Sequence, residues 1–198
     1  MAYVIKTKKS EVELPYLPKN GMLKNGTAVT LDWYKDADEK ELFDILRHIV
    51  HEEGDSYPQD EMSTIDDFRS YYLSHDVFVC KNISTGEVIG GFYVKPNFPG
   101  RCSHICNAGF IVKVSSRGYG VGTFMAEAYL QIARDLGYLA SFFNLVFVSN
   151  ESSLKLWRKL GFTEIGRVPN AGKLKGRGMT DALQFYYDLT SLTKLTVE

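Results

Sequence analysis

The periods of the hydrophobic pattern divide the chain into elements. Over residues 1–26 no period is sustained, and Val12-Glu13-Leu14-Pro15 and Lys24-Asn25-Gly26 read as an extended arm and a turn. Weak alternation over 27–33 predicts a first strand. Asp36-x-x-Glu39 has the form of a capping box, and Leu42, Ile45, Leu46, Ile49 and Val50 recur at helical spacing, which predicts a helix over 37–52. Gly54 and Pro58 break the chain. Ser63 or Thr64 caps a second helix with Ile65, Phe68 and Tyr72 on one face. Residues 75–82 and 87–95 read as a hairpin around Thr85-Gly86, followed by a loop at 96–100 and a central strand at 104–114. Val121, Phe124, Met125, Ala128, Ile132 and Leu136 form the buried stripe of a long helix over 123–136. A strand at 141–148, apolar except for Asn144, leads to a helix capped by Asn150 and ended by Gly161. A strand at 162–166, a basic glycine-rich loop at 167–178 and a last strand at 183–188 complete the pattern. No repeat or low-complexity segment interrupts this mixed α/β order.

The chemistry concentrates between residues 107 and 150. There the apolar run Ala108-Gly109-Phe110-Ile111-Val112-Lys113-Val114 meets the turn Arg117-Gly118-Tyr119-Gly120-Val121-Gly122, which opens a helix. First-turn N–H groups lack intrahelical partners and the helix dipole favours negative charge, so the turn suits a phosphate. A P-loop would end Gly-Lys-Ser/Thr, but Thr123 and Phe124 follow Gly122. A dinucleotide fold would show Gly-x-Gly-x-x-Gly and an acidic ribose partner about 20 residues on, where this chain has Gly137-Tyr138-Leu139-Ala140.

The Arg-x-x-Gly-x-Gly pattern resembles the pyrophosphate loop of the GNAT acetyltransferase superfamily. The run Asn150-Glu151-Ser152-Ser153-Leu154-Lys155-Leu156-Trp157 through Gly161-Phe162 resembles its second motif. The resemblance implies the GNAT fold: a mixed central sheet splayed between two parallel central strands and flanked by helices. It implies acetyl-CoA as cofactor, held by residues 111–113 (Ile111, Val112, Lys113), by 117–123 (Arg117, Gly118, Tyr119, Gly120, Val121, Gly122 and Thr123) and by Asn150, Ser153 and Trp157. It also implies a bulge on the strand that carries Gly109. A single domain over 1–198 is expected, with 1–26 as an N-terminal arm.

Residues 75–188, notably 97–110, 143–148 and 166–169, resemble a narrower group: the yeast azetidine-2-carboxylate (proline-analogue) N-acetyltransferases and their fungal relatives. By that likeness Asn107, Phe110 and Asn144 line the acceptor site, Asn150 sits by the cofactor, and Asn107, Asn144 and Asn150 are the catalytic set. The implied reaction is direct attack by a small amino or imino acid on the thioester. A polyamine, a drug or a protein amine as acceptor, or a silent coenzyme A-binding module, are the alternatives. Many superfamily members place an acidic tyrosine where Trp157 stands, and tryptophan has no titratable proton.

Composition narrows the setting. A net charge of −1 over 198 residues gives no argument for nucleic acid, which would want a basic face. No apolar run suits a membrane span or a signal core. Cys80, Cys102 and Cys106 are odd in number, which favours a reducing, cytoplasmic setting with a mitochondrial address left open. Cys102, His104 and Cys106 would alternate along a strand about 6.6 Å apart, too far for one zinc without a bend, so no metal is expected. Cys106 also stands as a nucleophile without an evident base. Asn144 is either a buried amide bonded to backbone or an acceptor contact, and Gly109 either a packing residue or a mark of close approach. Glu52, Glu53 and Asp55 are either a solvated helix end or a cationic-acceptor site. A homodimer is expected from resemblance alone.

Overall fold

The computed structural model describes residues 5–192. Residues 1–4 and 193–198 of the expected domain lie outside that description.

One eight-stranded sheet organises the molecule. In chain order the strands are β1 (Lys19–Met22), β2 (Ala28–Trp33), β3 (Asp76–Asn82), β4 (Val88–Pro96), β5 (Ile105–Val112), β6 (Ala140–Phe147), β7 (Thr163–Leu174) and β8 (Gly178–Asp188). Their spatial order is β1-β2-β3-β4-β5-β6-β8-β7, and only β5 and β6 run parallel. Helices α1 (Glu39–His48) and α2 (Ile65–Tyr71) cover one face; α3 (Val121–Asp135) and α4 (Glu151–Lys159) cover the other. The faces alternate residue by residue, as period 2 requires. Tyr93 and Ile111 pack under α1 and α2, while Phe92, Val94 and Cys106 pack under α3. Leu42 and Leu46 are fully buried, each contributing about 1.5–3 kcal/mol of burial to holding α1 in place.

Local signals explain most boundaries. Thr64 caps α2 through a reciprocal bond with Asp67, the short polar side chain satisfying an orphan N–H. Asn150 caps α4 by accepting from the Ser153 N–H. The expected helix over 37–52 divides: a 3-10 turn (Asp36–Asp38) leads in, and α1 then widens into a π-helical turn, Ile49–Glu53.

Three expectations are corrected. The arm of residues 1–26 contains strand β1, whose pairing with β2 supplies what its unpatterned sequence does not. The basic loop expected at 167–178 is mostly strand, because β7 and β8 form one long hairpin turning only at 175–177. The bulge expected by Gly109 is not there. Strand β5 stays in unbroken register with β4 from Gly90↔Val112 to Pro96↔Cys106. The irregularity falls on β6, where Phe143 pairs with Phe185 and Val146 with Leu183, leaving Asn144 and Leu145 opposite a single residue.

Candidate active site

Strands β5 and β6 pair only at Ile105↔Ala140 and Cys106↔Ser141, then separate. Asn107 is thus the first β5 residue beyond the fork. The gap opens into a cleft of about 1230 Å³, which runs from the glycine turn at 117–122 to the connection between α1 and α2.

Backbone direction follows from register. The Lys113 N–H donates to Ile89 O at 2.9 Å, so by antiparallel alternation Ile111 and Gly109 also bond toward β4. Ala108, Phe110 and Val112 therefore turn their peptide groups to the gap. Consistent with this, Tyr57 Oη donates to Phe110 O at 3.2 Å and Arg117 Nε to Val112 O at 3.2 Å. Of Ile111, Val112 and Lys113, only Val112 faces the gap. The Ile111 side chain is buried beneath α1 and α2, and Lys113 pairs with Glu87.

At the phosphate end Gly120 sits at φ 99°, a conformation that side chains disfavour, and caps α3. Phe124 N–H makes the first intrahelical bond, to Gly120 O, so the N–H groups of Val121, Gly122 and Thr123 have no partner inside the helix. The Arg117 guanidinium turns away to Glu53, with bonds of 2.7 and 3.0 Å. What the turn offers an anion is therefore backbone. Tyr119 is exposed, and its carbonyl accepts from the Lys24 N–H at 3.0 Å, which sets Lys24 at the rim of the cleft. Asn150, Ser153 and Trp157 line the same wall. Beside them Ser149 Oγ is buried with no partner among the described residues, as expected where a polar ligand docks.

At the other end Tyr93, Lys95 and Asn97 of β4 and its extension share a face with Asn107 and Gly109 of β5. A Cβ on Gly109 would lie 2.5 Å from the Tyr93 ring and 2.8 Å from Tyr57 Oη, so this glycine serves close approach. Asn144, carried on the β6 bulge, forms a reciprocal amide pair with buried Asn97 (3.0 and 2.6 Å), and Asn97 Nδ2 also donates to Phe142 O. One Asn144 N–H is left for a ligand. Phe110 borders the cleft, but its ring lies in the α3 core against Phe92, Tyr129 and Trp157.

The hairpin tip between β7 and β8 meets the cleft at the 51–55 segment. Lys175 Nζ donates to His51 O and Glu52 O at the end of the π turn, and Arg177 Nε donates to Asp55 Oδ2. Glu53 and Asp55 are thereby committed to arginines and not left for a cationic acceptor. Cys106 is a buried thiol on the α3 side, its pKa pushed up to about 12 by burial, and it contacts Tyr129 Oη at 3.3 Å. That environment gives no thiolate nucleophile. Among the described residues no cluster of His, Cys, Asp and Glu could hold a metal ion, and no helix is long and apolar enough to cross a membrane.

The sequence did not single out Lys24, Tyr57, Gln59, Tyr71, Lys95 or Asn97. Lys95 and Asn97 follow Tyr93 at spacing two, which was the available signal; Lys24, Tyr57 and Gln59 come from connections, and Tyr71 from the end of α2, that only folding brings to the cleft.

A splayed parallel pair with a glycine turn at a helix N-terminus defines an acyl-coenzyme A transferase architecture. Residues 39–162 match the sequence model of the acetyltransferase (GNAT) family. The chain is 37% identical over 174 residues to the N-acetyltransferase aca1 of Schizosaccharomyces pombe, covering 78% of this chain and 83% of that one. It is similar to a GCN5-related N-acetyltransferase from Kribbella flavida (TM-score 0.76, 29% identity, 81% of this chain and 97% of that one). It is also similar to yncA of Salmonella typhimurium, a putative acetyltransferase solved with acetyl-CoA (TM-score 0.72, 20% identity, 86% and 99% covered). The chain belongs to the acetyltransferase (GNAT) family and is an enzyme of the N-acetyltransferase class.

Proposed function

We propose that this enzyme transfers acetyl from acetyl-CoA to the nitrogen of a small amino or imino acid of the proline-analogue kind, by direct attack in a ternary complex. The observation that carries the small acceptor is the bridge from Lys175 and Arg177 to the 51–55 segment, which closes one side of the cleft where a peptide would need an open groove. When bound, acetyl-CoA supplies an activated thioester. The α3 N-terminus and Lys24 hold phosphate, and Ser149 and Asn150 offer polar contacts on the same wall. The Phe110 and Val112 N–H groups stand where they can polarise the thioester carbonyl. Asn107 and Asn144 hold the acceptor. Neither is an acid or a base, so both act by position, and the attacking amine must be uncharged. A cytoplasmic setting belongs to this reading, supported by three free cysteines. So does a homodimer, supported by edge strand β7, where Ile165 is exposed; light scattering tests it.

Thiol release from acetyl-CoA tests the reaction, with azetidine-2-carboxylate, hydroxyproline isomers, common amino acids, spermidine and mixed peptides as acceptors. Release with the small cyclic imino acids is expected. Asn107→Ala and Asn144→Ala are expected to lower acceptor kcat/KM by roughly 10-fold or more each. Unchanged kcat and KM in both would falsify their role, and release only with spermidine or peptides would overturn the acceptor class.

A further inference from the structure

The charges lining the cleft are mostly paired internally. Glu53 holds Arg117, Asp55 holds Arg177 and Glu151 holds Lys155. That leaves Lys24 and Lys95 as lining cations with no carboxylate partner among the described residues. They sit at opposite ends. Lys24 is exposed beside the glycine turn, whereas Lys95 is only 8% exposed, at the acceptor end.

No carboxylate among the described residues pairs with the Lys95 ammonium, and the titratable group that feels its charge, His75, is held toward its neutral form by burial and by Lys95 itself. Nζ donates to Tyr71 O at 3.2 Å and lies 4.4 Å from the Tyr71 ring centroid and 4.1 Å from that of Tyr93. An ammonium carries three N–H groups, and one carbonyl with two ring faces does not neutralise it. A buried cation without a counter-charge is costly, and such a cost is typically met by an anion. Across the ladder Lys95 faces Asn107, the first residue beyond the β5–β6 fork.

We infer that Lys95 is the anion-recognition residue of the acceptor site, selecting amines that carry a carboxylate beside the nitrogen and rejecting polycations. This rests on the small-acceptor reading above and adds the charge that decides among small acceptors. In an amino or imino acid one carbon separates carboxylate from nitrogen. Anchoring the carboxylate between Lys95 and Asn107 therefore holds the nitrogen at the mouth of the gap. Gln59 Oε1, buried at this end without a partner, is an acceptor available to the amine N–H. A polyamine would instead bring a second cation against Lys95.

The test compares azetidine-2-carboxylate with its carboxamide in wild type, Lys95→Met and Lys95→Arg, with coenzyme A-induced thermal stabilisation confirming that each variant is folded. The carboxamide's amine is less basic and so more often uncharged, which biases the chemistry against the expected result. Wild type should prefer the acid by about 10-fold or more in kcat/KM, a charged hydrogen bond's worth. Lys95→Met should lose that preference, chiefly through KM on the acid, with little change on the amide, and Lys95→Arg should retain part of it. Acid and amide used equally by wild type would overturn the inference while leaving the small-acceptor reading intact. Equal loss on both substrates, confined to kcat, would also overturn it and make Lys95 a base. Release only with spermidine or peptides would overturn both.

Discussion

Lys95 sets a stability cost against a functional gain. Burial lowers its ammonium pKa from 10.5 to about 8. Between those values the unfolded chain binds more protons than the folded one, so stability rises with pH across that window. Below about pH 8 the folded state carries the full cost of the buried charge. Lys95→Met should therefore stabilise the protein at neutral pH, by ~1–3 kcal/mol, with the advantage shrinking as pH rises from 8 toward 10. Denaturant unfolding at two pH values measures this; a variant less stable at neutral pH would mean that the two ring contacts outweigh desolvation. Gly109→Ala makes a complementary case. Its Cβ meets Tyr93 at 2.5 Å and Tyr57 at 2.8 Å, so overpacking should cost ~1–3 kcal/mol and impair acceptor use, while coenzyme A binding is retained. Asn97 acts through Asn144. Asn97→Ala should raise acceptor KM nearly as much as Asn144→Ala, and the double variant should be less than additive, as kinetics of the cycle would show.

Among the elements, the β7–β8 hairpin meets the π turn after α1 beside the cleft. The π turn places Glu53 against Arg117 and presents the His51 and Glu52 carbonyls to Lys175. Replacing Lys175 and Arg177 together by alanine removes the bridge without touching the glycine turn. Acceptor KM should rise roughly tenfold with coenzyme A affinity unchanged. A parallel fall in coenzyme A affinity would show that the bridge supports the whole cleft. The elements themselves were largely legible. Caps such as Thr64 and Asn150 follow local chemistry that can be read along the chain. The hairpin was not, because glycines and basic residues at 167–178 mimic a loop. Its strand character comes from pairing with β8.

For the molecule as a whole, the cleft divides into a phosphate end and a carboxylate end, each with an unpaired lysine. Coenzyme A at 100 times its Kd should stabilise the folded protein by about 2.7 kcal/mol, read as a rise in Tm. Lys24→Ala should weaken that stabilisation and leave acceptor selectivity alone; a change in selectivity would mean the two ends are coupled.

The sequence by itself determined the glycine turn and the α3 and α4 termini, because each depends on a local rule: helical period, capping, or the freedom of glycine; its motifs gave the class of fold by resemblance. The tertiary structure alone decided where the bulge lies, which peptide groups face the gap, that Asn97 holds Asn144, and that Lys95 is buried without a counter-charge. These depend on pairing between strands distant in sequence and on what a folded neighbour leaves unsatisfied, and a one-residue change of register would reverse them.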